Sequence, residues 1–348
     1  MMTRDQIQRF LITLSLAAGG GALFYILQLP LPWTLGALTA VGLSTLRFTP
    51  YVPINFRNIM SSCLGIMLGS GFSPAMVDRF DELGLSFIFL LLLTAIGGAC
   101  AVMLARQLTR LDPATTYFMA MPGGLNDMAN IGHAMGADSR AIAINHSLRI
   151  MLTVWTVPVL LPIFTGITFT RTSLPLHADW PSLIELAGLA LCAIGWPLAH
   201  RIKLPAAQIM GPMLVSSLAH LLGLLHTAPP TELVILAQIV MGGWLGARFL
   251  GTQFSDLRRL FGVAFIMTSF LLILAIAGSY GASLVTGLSW PTLLLAYAPG
   301  GLAEMSLTAL ALDLDASIVA LHHLVRVVMV LLIGPLIFKF WLYPRRTD

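Results

Sequence analysis

Residues 85–105 and 261–285 each run through without a single charged side chain. Both reach the roughly 20 residues that an α-helix needs to cross the hydrocarbon core of a bilayer. In that medium every main-chain N–H and C=O must be satisfied inside the protein, so such a chain is driven toward a helical bundle. Composition agrees: 57% of the 348 residues are hydrophobic and 10% are charged, where a soluble domain carries roughly 25% charged. The mean hydropathy is +0.87. The sequence predicts an all-α polytopic membrane protein.

Against this background one motif stands out because it occurs twice. Met121-Pro122-Gly123-Gly124-Leu125-Asn126-Asp127-Met128 returns as Ala298-Pro299-Gly300-Gly301-Leu302-Ala303-Glu304-Met305, an offset of 177 residues from Met121 to Ala298. A helix break and a carboxylate are both costly in hydrocarbon, so their doubled pairing asks for a purpose. The register extends well beyond the motif. At the same offset Gly65 meets Gly242, Gly69 meets Gly246, Phe72 meets Phe249, Asp138 meets Asp315, His146 meets His323, Arg149 meets Arg326 and Pro158 meets Pro335. Upstream the offset becomes 175, where Leu29-Pro30 and Gly36 meet Leu204-Pro205 and Gly211. The halves, roughly 8–168 and 182–342, are duplicated units, which predicts a first membrane repeat over 1–175 and a second over 176–348.

Each half reads as one series: spans near 10–27, 33–46, 59–71 and 85–105, the Pro-Gly-Gly segment over 114–136, and a closing helix over 141–169. The second half repeats it at 183–198, 207–225, 233–249, 260–285, 291–312 and 316–342. The N-terminus, Met1-Met2-Thr3-Arg4, enters its apolar segment with no identifiable small-residue cleavage site, so it reads as a retained first span. Cys63, Cys100 and Cys192 are scattered singly through apolar stretches, which argues against disulfides or a cysteine-based metal site.

The formal charge of +4 is no nucleic-acid signature here, because Lys and Arg in such a chain mark cytoplasmic loops. If the Pro-Gly-Gly segment crossed fully, the clusters at 201–203, 248–259 and 339–346 would fall outside. If it enters and returns, each half has about five full spans and the second half is inverted. Fourteen Lys and Arg then lie inside, against Arg79 and Arg171 outside, leaving aside Arg140, Arg149 and Arg326. The inverted arrangement satisfies the orientation rule, with both termini cytoplasmic. Inverted repeats with matching Gly/Pro-interrupted segments are the sequence pointer to a secondary transporter whose site lies near the midplane.

Several polar residues fall inside these segments. Asn126, Asn130 and His133 share one helical face beside Asp127, while Glu304, Ser306 and Thr308 are the polar members of the second copy. Asn145 and Arg149 share a face of the closing helix, as do His322 and Arg326, with His146 and His323 one step round. Each half can bring one acid to one arginine. These are either structural ion pairs, or a coupling-ion or proton site with arginine counter-ions or anion ligands, or arginines snorkelling to an interface. Gly123, Gly124, Gly300 and Gly301 either permit tight packing or expose main-chain groups to a ligand. Adjacent His322 and His323 point about 100° apart on a helix, which disfavours one shared metal. Asp138 and Asp315 read as partners of helix N-termini.

The doubled Pro-Gly-Gly-Leu-x-[Asp/Glu]-Met motif, the Leu-Pro-x6-Gly lead-in to each half's second span and the duplication together resemble the bacterial AbrB membrane-protein family over essentially the whole chain. That resemblance implies an architecture similar to the cation:proton antiporter and anion transporter superfamily, with five-plus-five inverted repeats, and a multi-pass location in the bacterial inner membrane. The family carries labels as a regulator and as an ammonia monooxygenase. The expected function is secondary transport of a small solute, ion- or proton-coupled; the alternatives are a membrane-embedded regulatory protein affecting gene expression and, more weakly, an intramembrane oxygenase. Neither enzyme activity nor a cofactor nor a metal is expected. The expected partners are a small-molecule or ion substrate and the lipid bilayer, without nucleic acid, and a homodimer is left open.

Overall fold

The computed structural model describes residues 2–74, 80–167, 180–250 and 254–342, the side chains at 80, 125, 126, 254–259, 341 and 342 excepted. Among these residues there are helices and no strand. The first half holds α1 (Arg4–Ile26), α2 (Pro32–Ser44), α3 (Ile54–Ser70), α4 (Phe80–Leu108), α5 (Pro113–Ala120), α6 (Leu125–Ala134) and α7 (Ser139–Thr165). The second holds α8 (Leu183–Leu191), α9 (Gly195–Arg201), α10 (Ala207–Leu221), α11 (Thr231–Ala247), α12 (Phe254–Thr286), α13 (Trp290–Tyr297), α14 (Leu302–Ala311) and α15 (Ala316–Ile337).

Among the described residues, six stretches are long and apolar enough to span a bilayer: Arg4–Ile26, Asp81–Leu108, Ser139–Thr165, Leu183–Arg201, Leu260–Thr286 and Ala316–Phe340. The chain is an all-α polytopic membrane protein. The second and third elements of each half are shorter, at 13 and 17 residues for α2 and α3 and 15 and 17 for α10 and α11. Helix starts follow local chemistry. Thr3 and Gln6 form a reciprocal capping box at α1, and Asp112 accepts from the Thr115 N–H at α5. Asp138 takes the N–H groups of Arg140 and Ala141 at α7, and Asp315 takes that of Ser317 at α15, the helix-start role expected of this pair.

Compactness groups the chain into two units, and neither is a sequence half. One comprises Met1–Arg79, Val157–Gly251 and Ser306–Ser317; the other comprises Phe80–Thr156, Thr252–Met305 and Ile318–Asp348. Both halves therefore contribute to both units. The orientation-bearing Arg79, Arg171, Arg345 and Arg346 lie outside the described residues.

In the first unit the duplication is visible contact by contact. α3 packs on α10 and α11 packs on α2, each pair joining one half's third element to the other half's second. A Cβ added at Gly69 would lie 2.5 Å from the Met213 carbonyl, and one at Gly246 2.5 Å from that of Leu38. Gly65 abuts the Ile209 carbonyl as Gly242 abuts that of Thr34, and Gly20 faces Gly36 as Gly195 faces Gly211. Small residues let helix backbones touch where apolar burial cannot distinguish protein from lipid. Even strained backbone repeats. Gln28 and Leu31 have φ of 56° and 44°, and Lys203 and Ala206, their partners at an offset of 175, have 56° and 45°.

The second unit holds both Pro-Gly-Gly breaks. Its core gathers Tyr117, Phe118 and Met119 of α5 with Met128, Ile142, Met267 and Val330.

Candidate functional site

The break is built the same way in both copies. α5 stops at Ala120 because Pro122 supplies no N–H, and α6 restarts at Leu125 with Gly124 as its N-cap. α13 and α14 stop and restart around Pro299-Gly300-Gly301. The glycines here answer to space rather than to unusual φ: Gly124 has φ −65° and ψ 135°. A Cβ on Gly123 would lie 2.8 Å from Met128, and one on Gly300 2.7 Å from Met305, so the motif's methionine folds back over its first glycine. The acid folds over the second. Asp127 Oδ2 would lie 2.6 Å from a Cβ on Gly124, and the Glu304 carboxylate closes on Gly301 in the same manner. Each acid thus sits in the first turn of its helix, where N–H groups lack main-chain partners and the dipole favours negative charge.

Stopping a helix in an oily medium leaves carbonyls unpaired, and the closing helix answers them. Arg149 on α7 donates through Nη1 to the Met121 carbonyl at 3.1 Å and through Nη2 to the Gly123 carbonyl at 3.1 Å. His146 donates from Nε2 to the Phe118 carbonyl at 3.0 Å, and Asn145 from Nδ2 to that of Met119 at 3.1 Å. Copy two repeats this with Arg326 on α15, which donates to the carbonyls of Tyr297 at 3.3 Å, Ala298 at 2.6 Å and Gly300 at 3.1 Å. His323 Nε2 reaches the Leu295 carbonyl at 3.0 Å. In each copy the histidine Nδ1 accepts from the arginine three residues on, at 3.0 Å for His146 and 2.7 Å for His323. A ring that donates from Nε2 and accepts at Nδ1 is neutral with a fixed tautomer, and has no nitrogen left for a metal.

This arrangement corrects the expectation that each acid meets an arginine. The partners of Arg149 and Arg326 are carbonyls and histidines; among the described residues neither guanidinium is paired with a carboxylate. The reason is the break itself. Two or three converging carbonyls match a planar fork of donors, whereas each acid lies in the first turn of the helix on the other side of the break. Snorkelling fails as well, because Arg149 and Arg326 are only 5% and 4% exposed.

Among the three side chains that cap each break, the copies differ at one position. His322, the counterpart of Asn145, faces its own helix: Nδ1 donates to the Ile318 carbonyl at 2.7 Å, Nε2 accepts from the Ser86 hydroxyl, and the ring lies 4.5 Å from that of Phe87. Asn130 and His133 are exposed, and the side chain of Asn126 lies outside the described residues.

Pro122, Pro299 and Arg326 line one cavity of ≈ 30 Å³ together with Thr94, Gly98 and Tyr297. Both breaks thus border the same small space. Thr94 and Tyr297 escaped the sequence reading. Thr94 is a lone hydroxyl between Leu93 and Ala95 in the apolar run of α4, and Tyr297 precedes the second motif by one residue. The bond between His146 and Arg149 was legible as an i, i+3 spacing, one of the two that bring helix side chains together.

Such features define a class: a polytopic helical membrane protein with a duplicated broken helix, each break capped by arginine and histidine from the helix that follows. The chain belongs to the AbrB family, whose sequence model, described as "Transition state regulatory protein AbrB", matches residues 33–342. It is similar to a Bacillus subtilis (strain 168) protein named "Uncharacterized protein YhjN", with 24% identity over 371 aligned residues, 97% of this chain and 94% of that one. It is similar also to an Escherichia coli (strain K12) protein named "Putative regulator AbrB", with 23% identity over 323 aligned residues, 91% of this chain and 92% of that one.

Proposed function

We propose that this protein is a secondary transporter of the bacterial inner membrane, moving a small solute, ion- or proton-coupled, through the space where the two Pro-Gly-Gly breaks meet. One observation carries this reading: both breaks lie in one compact unit, and Pro122, Pro299 and Arg326 line one cavity there. Broken helices at matching positions of a duplicated chain offer helix ends as ligands, which an unbroken bundle does not. Asp127 and Glu304 carry the coupling charge, and neither is held by the arginine of its own copy. The repeats are inverted, both termini face the cytoplasm, and the protein is not an enzyme.

The test is uptake by sealed vesicles reconstituted with the purified protein, guided by a thermal-shift screen of small anions, organic acids, amines and cations at two pH values. A solute whose stabilising effect weakens in both Asp127→Asn and Glu304→Gln, and which accumulates in vesicles, supports transport. A solute that binds but never crosses supports the second reading, a membrane regulator without net transport, which the name of the Escherichia coli relative favours.

A further inference from the structure

Within the first unit two arginines share one indole ring. The Arg57 guanidinium lies 4.5 Å from the centre of the Trp244 ring, and that of Arg248 lies 4.0 Å from it. Arg57 is the fourth residue of α3, and Arg248 follows the last residue of α11. Further along the same two helices the Ser61 hydroxyl meets Met241 Sδ at 3.2 Å. α3 and α11 therefore run antiparallel, and the start of one lies beside the end of the other.

Arg248 is well placed, because the carbonyls at a helix C-terminus favour a cation. Arg57 is not. It stands one turn into a helix whose N-terminal end disfavours positive charge, with no side-chain cap and no acid in the first turn to offset it. It is 6% exposed, and its charge and that of Arg248 act on one another. Its hydrogen bonds, from Nε at 3.0 Å and from Nη2, both go to the neutral Asn58 Oδ1. Nη1 has no partner in the protein, yet it is not closed to a water-sized group. Asp5, on the neighbouring start of α1, is taken by Arg9 at 2.9 Å. A buried cation offset only by an amide and a shared ring is left short of negative charge.

The duplication sharpens the contrast. At the offset of 177 residues, the counterparts of Arg57, Trp244 and Arg248 are Val234, Met67 and Gly71. The glycine contacts of the scaffold recur in both halves, whereas this cluster occurs once.

We propose that Arg57, Trp244 and Arg248 form a binding site for the phosphate of an anionic phospholipid, such as phosphatidylglycerol. It lies in the leaflet that the proposed orientation makes cytoplasmic. A phosphate that accepts from Arg57 Nη1 brings negative charge to both guanidiniums and to the N-terminal end of α3. What borders the site points to a lipid rather than to free phosphate. Ile54 and Ile59 on α3 and Leu250 after α11 are exposed apolar side chains that acyl chains can cover. Arg47, exposed beyond the end of α2 and on the same side of the unit, repels the amine of a zwitterionic headgroup. The site does not depend on transport.

The test is a thermal-shift titration of detergent-purified, full-length protein with phosphatidylglycerol, with phosphatidylcholine of the same acyl chains, and with sodium phosphate, all at one ionic strength. Phosphatidylglycerol raises the melting temperature and the other two do not. Arg57→Gln weakens the apparent affinity roughly tenfold, the loss of one charge-assisted hydrogen bond. Arg47→Gln, at an exposed arginine outside the cluster, leaves it within about twofold. Should Arg57→Gln fail to fold, Arg248→Gln takes its place with the same expected loss. Equal stabilisation by phosphatidylcholine or by sodium phosphate overturns the site, as do equal losses in the cluster variant and in Arg47→Gln. Solute flux in vesicles is read separately: a lipid effect without flux removes transport and leaves the site, and flux without a lipid effect does the reverse.

Discussion

At the scale of single residues, the arginine on each closing helix serves the backbone more than it serves charge pairing. Its fork gathers carbonyls that the Pro-Gly-Gly break sets free, and its histidine neighbour takes another. Arg326→Lys replaces a planar set of donors by a point charge that cannot reach the Tyr297, Ala298 and Gly300 carbonyls together. It should cost about 2 kcal/mol in a reversible unfolding measurement. Asp127→Asn should cost less than about 1 kcal/mol, because only the interaction with a helix N-terminus is lost. Had Asp127 been paired with Arg149 inside the bundle, breaking that pair would cost about 3–5 kcal/mol. The size of the Asp127→Asn loss therefore tests the assignment of partners directly.

At the scale of elements, contact between helices is governed by where a glycine faces another backbone. Gly19 and Gly20 are neighbours on α1, yet nothing lies within 4 Å of a Cβ at Gly19, whereas one at Gly20 would collide with Gly36. Gly19→Ala should stabilise by about 0.5–1 kcal/mol through reduced chain entropy. Gly20→Ala should destabilise by about 1–3 kcal/mol, since the helices must separate to admit a methyl group. Gly195→Ala, at the matching place in the second half, should behave as Gly20→Ala does. Equal effects at Gly19 and Gly20 in the same unfolding assay would contradict the packing of α1 on α2.

On the scale of the whole molecule, the duplication is distributed rather than partitioned. The first three elements of both halves share one unit, and both Pro-Gly-Gly breaks lie in the other. Reciprocal contacts such as α3 on α10 and α11 on α2 arise when two copies of one sequence exchange equivalent surfaces. The proposed inverted topology makes a separate prediction about the membrane. With the native cysteines replaced, a cysteine introduced near Arg47 and one near Arg258 should both be modified by an impermeant reagent from the cytoplasmic face only. Labelling from opposite faces would restore parallel repeats and move the site away from a midplane between inverted halves.

Much of this was readable from residue order alone. Hydrocarbon tolerates only satisfied backbone, so the apolar runs dictated helices. Duplication leaves matching residue types at a constant offset, so the breaks and the two arginines followed from spacing. Partner choice did not. Asp127 and Arg149 are charged side chains and draw the eye as a pair, while the carbonyls that claim Arg149 belong to every residue and leave no mark in a sequence. Only the three-dimensional course of the chain shows which carbonyls lose their helical N–H, which helix passes close enough to supply a donor, and that Pro122 and Pro299 border one small space. Composition and periodicity determined what kind of protein this is; the tertiary structure decided which groups are left to bind something, because that depends on distances between segments far apart in the chain.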